Sequence, residues 1–229
     1  MLYSKKYQET EYNLKDAFLF TSDNFEVFKK NYENYENVYC LEVDIINKIK
    51  LNEEGFFDFS KNLIDVGAAI GEYCSCLDFN TNYIFEPDKE LMWTCQANLV
   101  NKDKVKNSFT YQVALSDKEG KETIFTNGRE EFWETETKTL DSYNFKNVGF
   151  IKIDVEGFEE KVIRGGLITI ISNNYPPILF ECWNIGWAGM TQEKRDSLFN
   201  LLKTLGYEIF ECWGDYETHL AVHKTKLNK

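Results

Sequence analysis

From Asn62 onward, short apolar runs alternate with amphipathic stretches of helical period, and this alternation narrows the fold more than any other feature of the chain. Leu63-Ile64-Asp65-Val66 reads as a strand and Tyr83-Ile84-Phe85-Glu86 as a second. A helix follows over Glu90 to Val100, with Asp88 placed to cap it. Phe109 to Leu115 reads as a third strand, Phe150 to Asp154 as a fourth, and Glu159 to Ile171 as a helix. Pro177 to Glu181 is a fifth strand, followed by a helix over Gln192 to Leu205. Tyr207 to Cys212 and His219 to His223 then read as an antiparallel pair. Strands separated by helices need crossover connections, so the expectation is an α/β domain with a mostly parallel sheet and one antiparallel edge strand.

Residues 1–50 differ in character. Asn24 to Asn37 is rich in Tyr, Asn, Glu and Lys, with Phe25, Phe28 and Tyr32 at helical spacing and Asp23 as a cap. The expectation is an N-terminal helical extension over 1–50, with a disordered arm as the alternative, and one α/β domain over 51–229. At 229 residues and 43% hydrophobic content the chain can bury a full core. Ser116 to Asn147, between strands three and four, reads as an insertion that could help form a pocket, with Thr123-Ile124-Phe125-Thr126 as an extra short strand.

The net charge is −12, from 38 acids against 26 bases. Such a surface repels nucleic acid phosphates and anionic membranes, so neither is an expected partner. No apolar run approaches the ~18 residues of a membrane span. Met1 to Lys6 lacks the apolar core of a secretory signal, and a cytoplasmic location is the expectation. Six cysteines without a CxxC pair, and two histidines late in the chain, His219 and His223, fit reduced thiols rather than a zinc site. Both histidines alternate with apolar residues and read as strand positions.

The sharpest chemical signal is Asp65-Val66-Gly67-Ala68-Ala69-Ile70-Gly71, directly after the first strand. Glycines at a strand-to-helix turn let backbone approach a ligand closely. The dinucleotide fingerprint G-x-G-x-x-G fails here: Ala69 and Glu72 stand where its second and third glycines would fall. Glu72 would also repel a pyrophosphate at the helix start. Glu86, about 20 residues on and followed by Pro87, can accept hydrogen bonds from both ribose hydroxyls. The combination describes a nucleoside ligand without a diphosphate, and S-adenosylmethionine fits that description.

Several stretches, in order, extend the pattern: Phe85-Glu86-Pro87, Val113-Ala114-Leu115-Ser116-Asp117, Thr139-Leu140-Asp141, Ile151-Lys152-Ile153-Asp154-Val155-Glu156-Gly157 and Ile178-Leu179-Phe180-Glu181. Together with the glycine loop this set resembles the FkbM family of methyltransferases. The resemblance covers about Asn62 to Trp183. It implies a Rossmann-like class I methyltransferase fold with a seven-stranded sheet, and O-methyl transfer from S-adenosylmethionine, leaving S-adenosylhomocysteine. By position it places Asp65, Gly67 and Gly71, with Ala68 and Ala69 between them, at the methionine end of the cofactor. Glu86 and Pro87 come at the ribose, Ala114 and Leu115 at the adenine, and Asp154 at the sulfonium and the incoming hydroxyl. The family often has Asn where this chain has Ala69, which removes one side-chain hydrogen bond from the loop.

A hydroxyl is a poor nucleophile and needs a general base or a metal. With so few histidines the candidate bases are Asp154, Glu156 and Glu181, at the carboxyl ends of the fourth and fifth strands. The alternative is that Asp154 and Glu181, with Asn184, hold Mg²⁺, and that Glu156 only caps the following helix. The acceptor expected is a glycan, a sugar or a small metabolite. Trp133, Phe132, Trp183, Trp187, Trp213 and Tyr216 are candidate stacking surfaces, Arg129 a candidate grip for an anionic group, and Gly186-Trp187-Ala188-Gly189 a candidate lid. A different class of reading is a non-catalytic, cofactor-binding interaction module. A metal-dependent O-methyltransferase acting on a phenolic or other hydroxyl is a further reading within the same fold. Nothing in the chain sets the oligomeric state, and the N-terminal extension could serve as a lid or a homodimer arm.

Overall fold

A computed structural model describes residues 4–7, 10–13, 38–124, 133–187, 189–212 and 215–227. Helix expected over Asn24 to Asn37, and the candidates Arg129, Phe132, Ala188 and Trp213, lie outside these residues; the side chain of Tyr216 does too. Strands β1 (Ser4–Tyr7) and β2 (Thr10–Asn13) form an antiparallel pair. Helix α1 spans Val38–Leu51. Then follow β3 (Asn62–Val66), α2 (Glu72–Cys76), β4 (Thr81–Phe85), α3 (Lys89–Asn101) and β5 (Ser108–Tyr111). Next come β6 (Ala114–Leu115), β7 (Gly120–Ile124), β8 (Trp133–Lys138) and β9 (Val148–Ile153). The chain continues through α4 (Glu159–Arg164), α5 (Leu167–Ser172), β10 (Ile178–Glu181) and α6 (Gln192–Thr204). It closes with β11 (Tyr207–Cys212), β12 (Asp215–His223) and α7 (Lys224–Leu227).

Seven strands form the main sheet in the order β11-β12-β10-β9-β3-β4-β5. All pairings from β10 to β5 are parallel, and β12 runs antiparallel between β10 and the edge strand β11. The period-2 alternation of each strand feeds two cores. Ile64, Val66, Phe85, Ile151, Ile153 and Phe180 face the layer of α4, α5 and α6. Leu63, Ile84, Phe150 and Leu179 face the opposite layer, where Ile45, Ile46 and Ile49 of α1 and Cys95 and Leu99 of α3 pack. Helices thus cover both faces, which is why the central strands are apolar on both sides. Chain order reverses at β3, with β4 on one flank and β9 on the other, so a crevice opens at their carboxyl ends.

Three stretches differ from expectation. Within residues 1–50, expected as a helical extension, Ser4–Tyr7 and Thr10–Asn13 form a strand pair, and the helix described there is α1. The third strand divides: Ser108–Tyr111 stays in the main sheet, while Ala114–Leu115 leaves it to pair with Thr137 and Lys138 in a three-stranded sheet, β6-β8-β7. The Val113 N–H donates to the Tyr111 carbonyl, turning the chain out of the ladder. The helix after β9 also divides, at Gly165-Gly166. A Cβ on Gly165 would lie 2.0 Å from the Ser116 carbonyl oxygen, so the backbone there is pressed against the start of the insertion. Of the extra strand expected over Thr123 to Thr126, Thr123 and Ile124 fall at the end of β7.

Candidate functional site

The glycine loop is held against the carboxyl ends of β4 and β9. Gly67 and Ala68 N–H groups donate to the Phe85 carbonyl at 2.9 and 3.1 Å, and the Asp154 N–H donates to the Val66 carbonyl at 3.0 Å. Gly67 has φ +68, and a Cβ there would lie 1.7 Å from the Asp154 carbonyl oxygen, so only glycine fits this contact. Ala69 also takes a left-handed backbone, φ 46.

Glu86 is buried at the end of β4 and holds the loop from the other side. Its Oε2 accepts the Ala69 N–H at 2.9 Å and its Oε1 accepts the Asp88 N–H at 2.8 Å. Burial pushes its carboxyl up to about 7, against the pull of those two N–H groups. Asp88 in turn caps α3, accepting from the Glu90 and Leu91 N–H groups.

These elements enclose a cavity of about 170 Å³. Of the residues expected at the site, Gly67, Ala69, Glu86, Pro87, Ala114, Leu115, Asp154 and Glu156 line it. Asp65, Ala68, Gly71 and Glu181 are not on its wall. Asp65 is fully buried behind the loop, where its Oδ2 accepts the Cys74 N–H at 3.2 Å. Ala68 is buried too, and its carbonyl accepts the Gly71 N–H at 2.7 Å. Gly71, at φ +83, abuts the Cys95 sulfur, which a Cβ would approach to 2.6 Å.

Sequence reasoning missed the apolar wall. Leu91, Val113, Ile124, Thr137 and Phe158 also line the cavity. Ile124 and Thr137 come from the small sheet, so the insertion builds part of the pocket. Thr137 sits in Trp133-Glu134-Thr135-Glu136-Thr137-Lys138, whose alternation was a strand signal, with Thr135 and Thr137 buried and the intervening charges exposed. The cavity therefore has an apolar end, with Glu86 beside it, and a polar end at Gly67, Asp154 and Glu156. An apolar slot for a base, a buried carboxyl able to accept from a diol and a carboxyl-rich far end fit S-adenosylmethionine.

Behind Asp154 lies a group of acids. Glu181, at the end of β10, lies beside Asp154. Burial, and then the charges of Asp154, Glu156 and Glu159, push its carboxyl up to about 10. Glu159 is buried and accepts the Val155 and Gly157 N–H groups, both at 3.1 Å, which pins the turn after β9; burial raises it to about 7. Glu156, in that turn with φ 56, faces the cavity. Among the described residues no cluster of three or more His, Cys, Asp and Glu side chains is arranged to hold a metal ion.

The segment after β10 is tied down by α6 and β12. Arg195 donates to the Cys182 and Trp183 carbonyls at 3.2 and 3.4 Å, and Asn184 donates to Glu217 at 3.0 Å. The Asn184 amide is thus engaged by Glu217. Trp183 is buried near Gly157, whereas Trp187 is 67% exposed. His219 is buried between Phe180 and Phe199; Arg195 donates to its Nε2, so its Nδ1–H donates to the Glu217 carbonyl. His223 stacks on Tyr175. Among the described residues no helix is long and apolar enough to cross a membrane.

The family model described as the methyltransferase FkbM domain matches residues 65–209. No curated protein matches the chain. An FkbM methyltransferase from Methylobacillus flagellatus KT superimposes with a TM-score of 0.56 at 18% identity, covering 73% of this chain and 44% of that one. The chain therefore spans less than half the length of that protein. A candidate rRNA methylase from Clostridium thermocellum gives 0.54 at 9% identity, covering 78% and 93%. A candidate caffeoyl-CoA O-methyltransferase from Staphylococcus aureus gives 0.51 at 15%, covering 86% and 91%. At these identities the three likenesses speak to the fold alone.

Proposed function

We propose, since the chain belongs to the FkbM methyltransferase domain family, that it transfers a methyl group from S-adenosylmethionine to a hydroxyl of a sugar, glycan or small metabolite. The observation that carries this reading is the two-ended cavity, with buried Glu86 beside the apolar end and Asp154 at the other. Glu86 would hold the ribose hydroxyls through the lone pairs that its two N–H partners leave free. Leu91, Val113, Leu115 and Ile124 would enclose the base, with Ala114 at its edge. Gly67, Ala69 and Asp154 would receive the amino-acid end.

When bound, S-adenosylmethionine supplies a methyl group already activated on a sulfonium, so the chain's task is positioning and proton removal. The proton of the acceptor hydroxyl would pass to the Asp154–Glu181 pair. Glu181 enters carrying a proton at neutral pH and would offer it as a hydrogen bond to the neighbouring Asp154. Methyl transfer to a hydroxyl is supported by the carboxyls of Asp154 and Glu156 on the cavity wall, since oxygen acceptors need a base. A sugar-like acceptor is supported by the exposed Trp187 on the segment after β10, an aromatic face open to stacking. The −12 charge favours an acceptor other than nucleic acid.

Calorimetric titration with S-adenosylhomocysteine beside NAD⁺ tests the cofactor. Micromolar binding of the homocysteine compound alone supports the reading, and binding of NAD⁺ or of neither sinks it. Transfer of labelled methyl to a panel of sugars and small hydroxylated metabolites, with RNA and protein alongside, tests the acceptor; an O–CH₃ product is expected, and label on nitrogen or RNA refutes the hydroxyl assignment.

A further inference from the structure

Lys152 is anomalous for its place. It lies mid-strand in β9, whose six residues are all buried, in the centre of the sheet. Lysine is almost never buried without partners. Here its Nζ donates to the Gly67 carbonyl at 2.6 Å and forms ion pairs with Asp154 Oδ2 at 3.3 Å and Asp65 Oδ1 at 3.8 Å. It also lies over the Tyr73 ring, 5.5 Å from its centroid. The geometry follows from the sheet. Lys152 and Asp154 are two residues apart, so they share a face, and Asp65 is the register partner of Lys152 across the β3–β9 ladder. One buried ammonium therefore joins the glycine loop, the carboxylate behind it and the carboxylate on the cavity wall.

Two of those three partners, Gly67 and Asp154, form the polar end of the cavity, whereas Lys152 itself is not on the wall. Its charge also reaches Glu86, as the last and weakest of the influences on that carboxyl. We propose that Lys152 is a positioning residue for the amino-acid end of the cofactor: its ammonium fixes the Gly67 carbonyl and the Asp154 carboxylate in the orientation that receives that end. The inference rests on the cofactor reading above and goes beyond it by assigning one end of the ligand to a residue that does not touch it. Backbone hydrogen bonds would still close the loop without Lys152, through Phe85 and Val66. What would be lost is the fixed direction of one carbonyl and one carboxylate.

The test compares two probes, S-adenosylhomocysteine and 5′-methylthioadenosine, which has the nucleoside but no amino-acid part. Calorimetry is run on the wild type, Lys152→Met, and Lys152→Gln, which keeps a donor for Gly67 but no charge. Lys152→Arg, which keeps the charge, serves as the conservative rescue. The Met and Gln variants are expected to weaken S-adenosylhomocysteine about tenfold to a hundredfold, the scale of a hydrogen bond to a charged group. Affinity for 5′-methylthioadenosine should fall far less, since Lys152 reaches the nucleoside end only through its charge on Glu86. Arg should restore part of the homocysteine-compound affinity. Equal losses for both probes, or no loss for either, would overturn the assignment and leave Lys152 a structural residue. Failure of both the Met and Gln variants to fold would do the same. If the wild type binds neither probe, the cofactor reading itself falls, which the wild-type titration alone reveals.

Discussion

Replacing Glu181 by Gln should stabilise the protein, and by an amount that grows with pH. In the folded chain the carboxyl is raised to about 10 by burial and by Asp154, Glu156 and Glu159, against an ordinary value of 4.5. A group raised on folding contributes stability that is complete below its unfolded value and is lost as pH rises through the folded one. At pH 7 the folded Glu181 is still protonated, so the cost depends only on how far pH 7 lies above 4.5. That interval, at about 1.36 kcal/mol per pH unit, comes to about 3 kcal/mol. It does not depend on how far above 7 the folded value lies. Gln is neutral in both states and matches the shape. The variant should therefore exceed the wild type by under about 1 kcal/mol at pH 5 and by about 3 kcal/mol at pH 7, with a larger gap at pH 8. Urea denaturation of the ligand-free protein at a series of pH values reads this directly. A Gln variant no more stable than wild type at pH 8, or a gap that does not widen with pH, refutes the protonated state of Glu181.

Ala69→Gly should raise stability by about 1 kcal/mol, because φ 46 is strained for alanine and free for glycine; a fall in the thermal midpoint would contradict this. Gly67→Ala should cost more than about 3 kcal/mol or prevent folding, since its Cβ would sit 1.7 Å from the Asp154 carbonyl oxygen; an unchanged midpoint would show that the contact is looser than described. Glu86→Ala should lower S-adenosylhomocysteine affinity at least about thirtyfold, the scale of two hydrogen bonds from a diol to a carboxylate. It should also destabilise the ligand-free protein by leaving the Ala69 and Asp88 N–H groups without their acceptor. Affinity within threefold of wild type would remove Glu86 from the site.

Much of the sheet was legible because each central strand is a short apolar run bounded by Gly, Pro or Asp, and local pattern suffices for that. Glu86 and Asp154 were legible for the same reason: each closes such a run, and strand ends border the crevice. What escaped was long-range. A lysine inside Ile151-Lys152-Ile153 reads as the solvent side of an alternating strand, and only the covering of both faces by helices turns it into a buried cation. The exit of Ala114 and Leu115 from the main sheet depends on a partner strand over 20 residues later, at Thr137 and Lys138. The division of the helix at Gly165-Gly166 had a local signal in the paired glycines, but its cause is the Ser116 backbone. Asp65, which the resemblance places at the methionine end, lies behind the loop because its strand faces the α1 and α3 layer there.

The contact between Gly67 and Asp154 bears on how such a site could be retargeted. The loop and the end of β9 touch through backbone at Gly67, exchange the Asp154-to-Val66 hydrogen bond and share one ammonium. With three ties between them, a change that shifts Asp154 to suit a new acceptor should also shift the Gly67 loop, the floor of the proposed cofactor site. The segment after β10 is anchored elsewhere, by Arg195 and Glu217. An engineer, or natural drift, seeking a new acceptor would find freedom around Ile185 and Trp187, where the chain can be recut without disturbing the seat of the methyl donor.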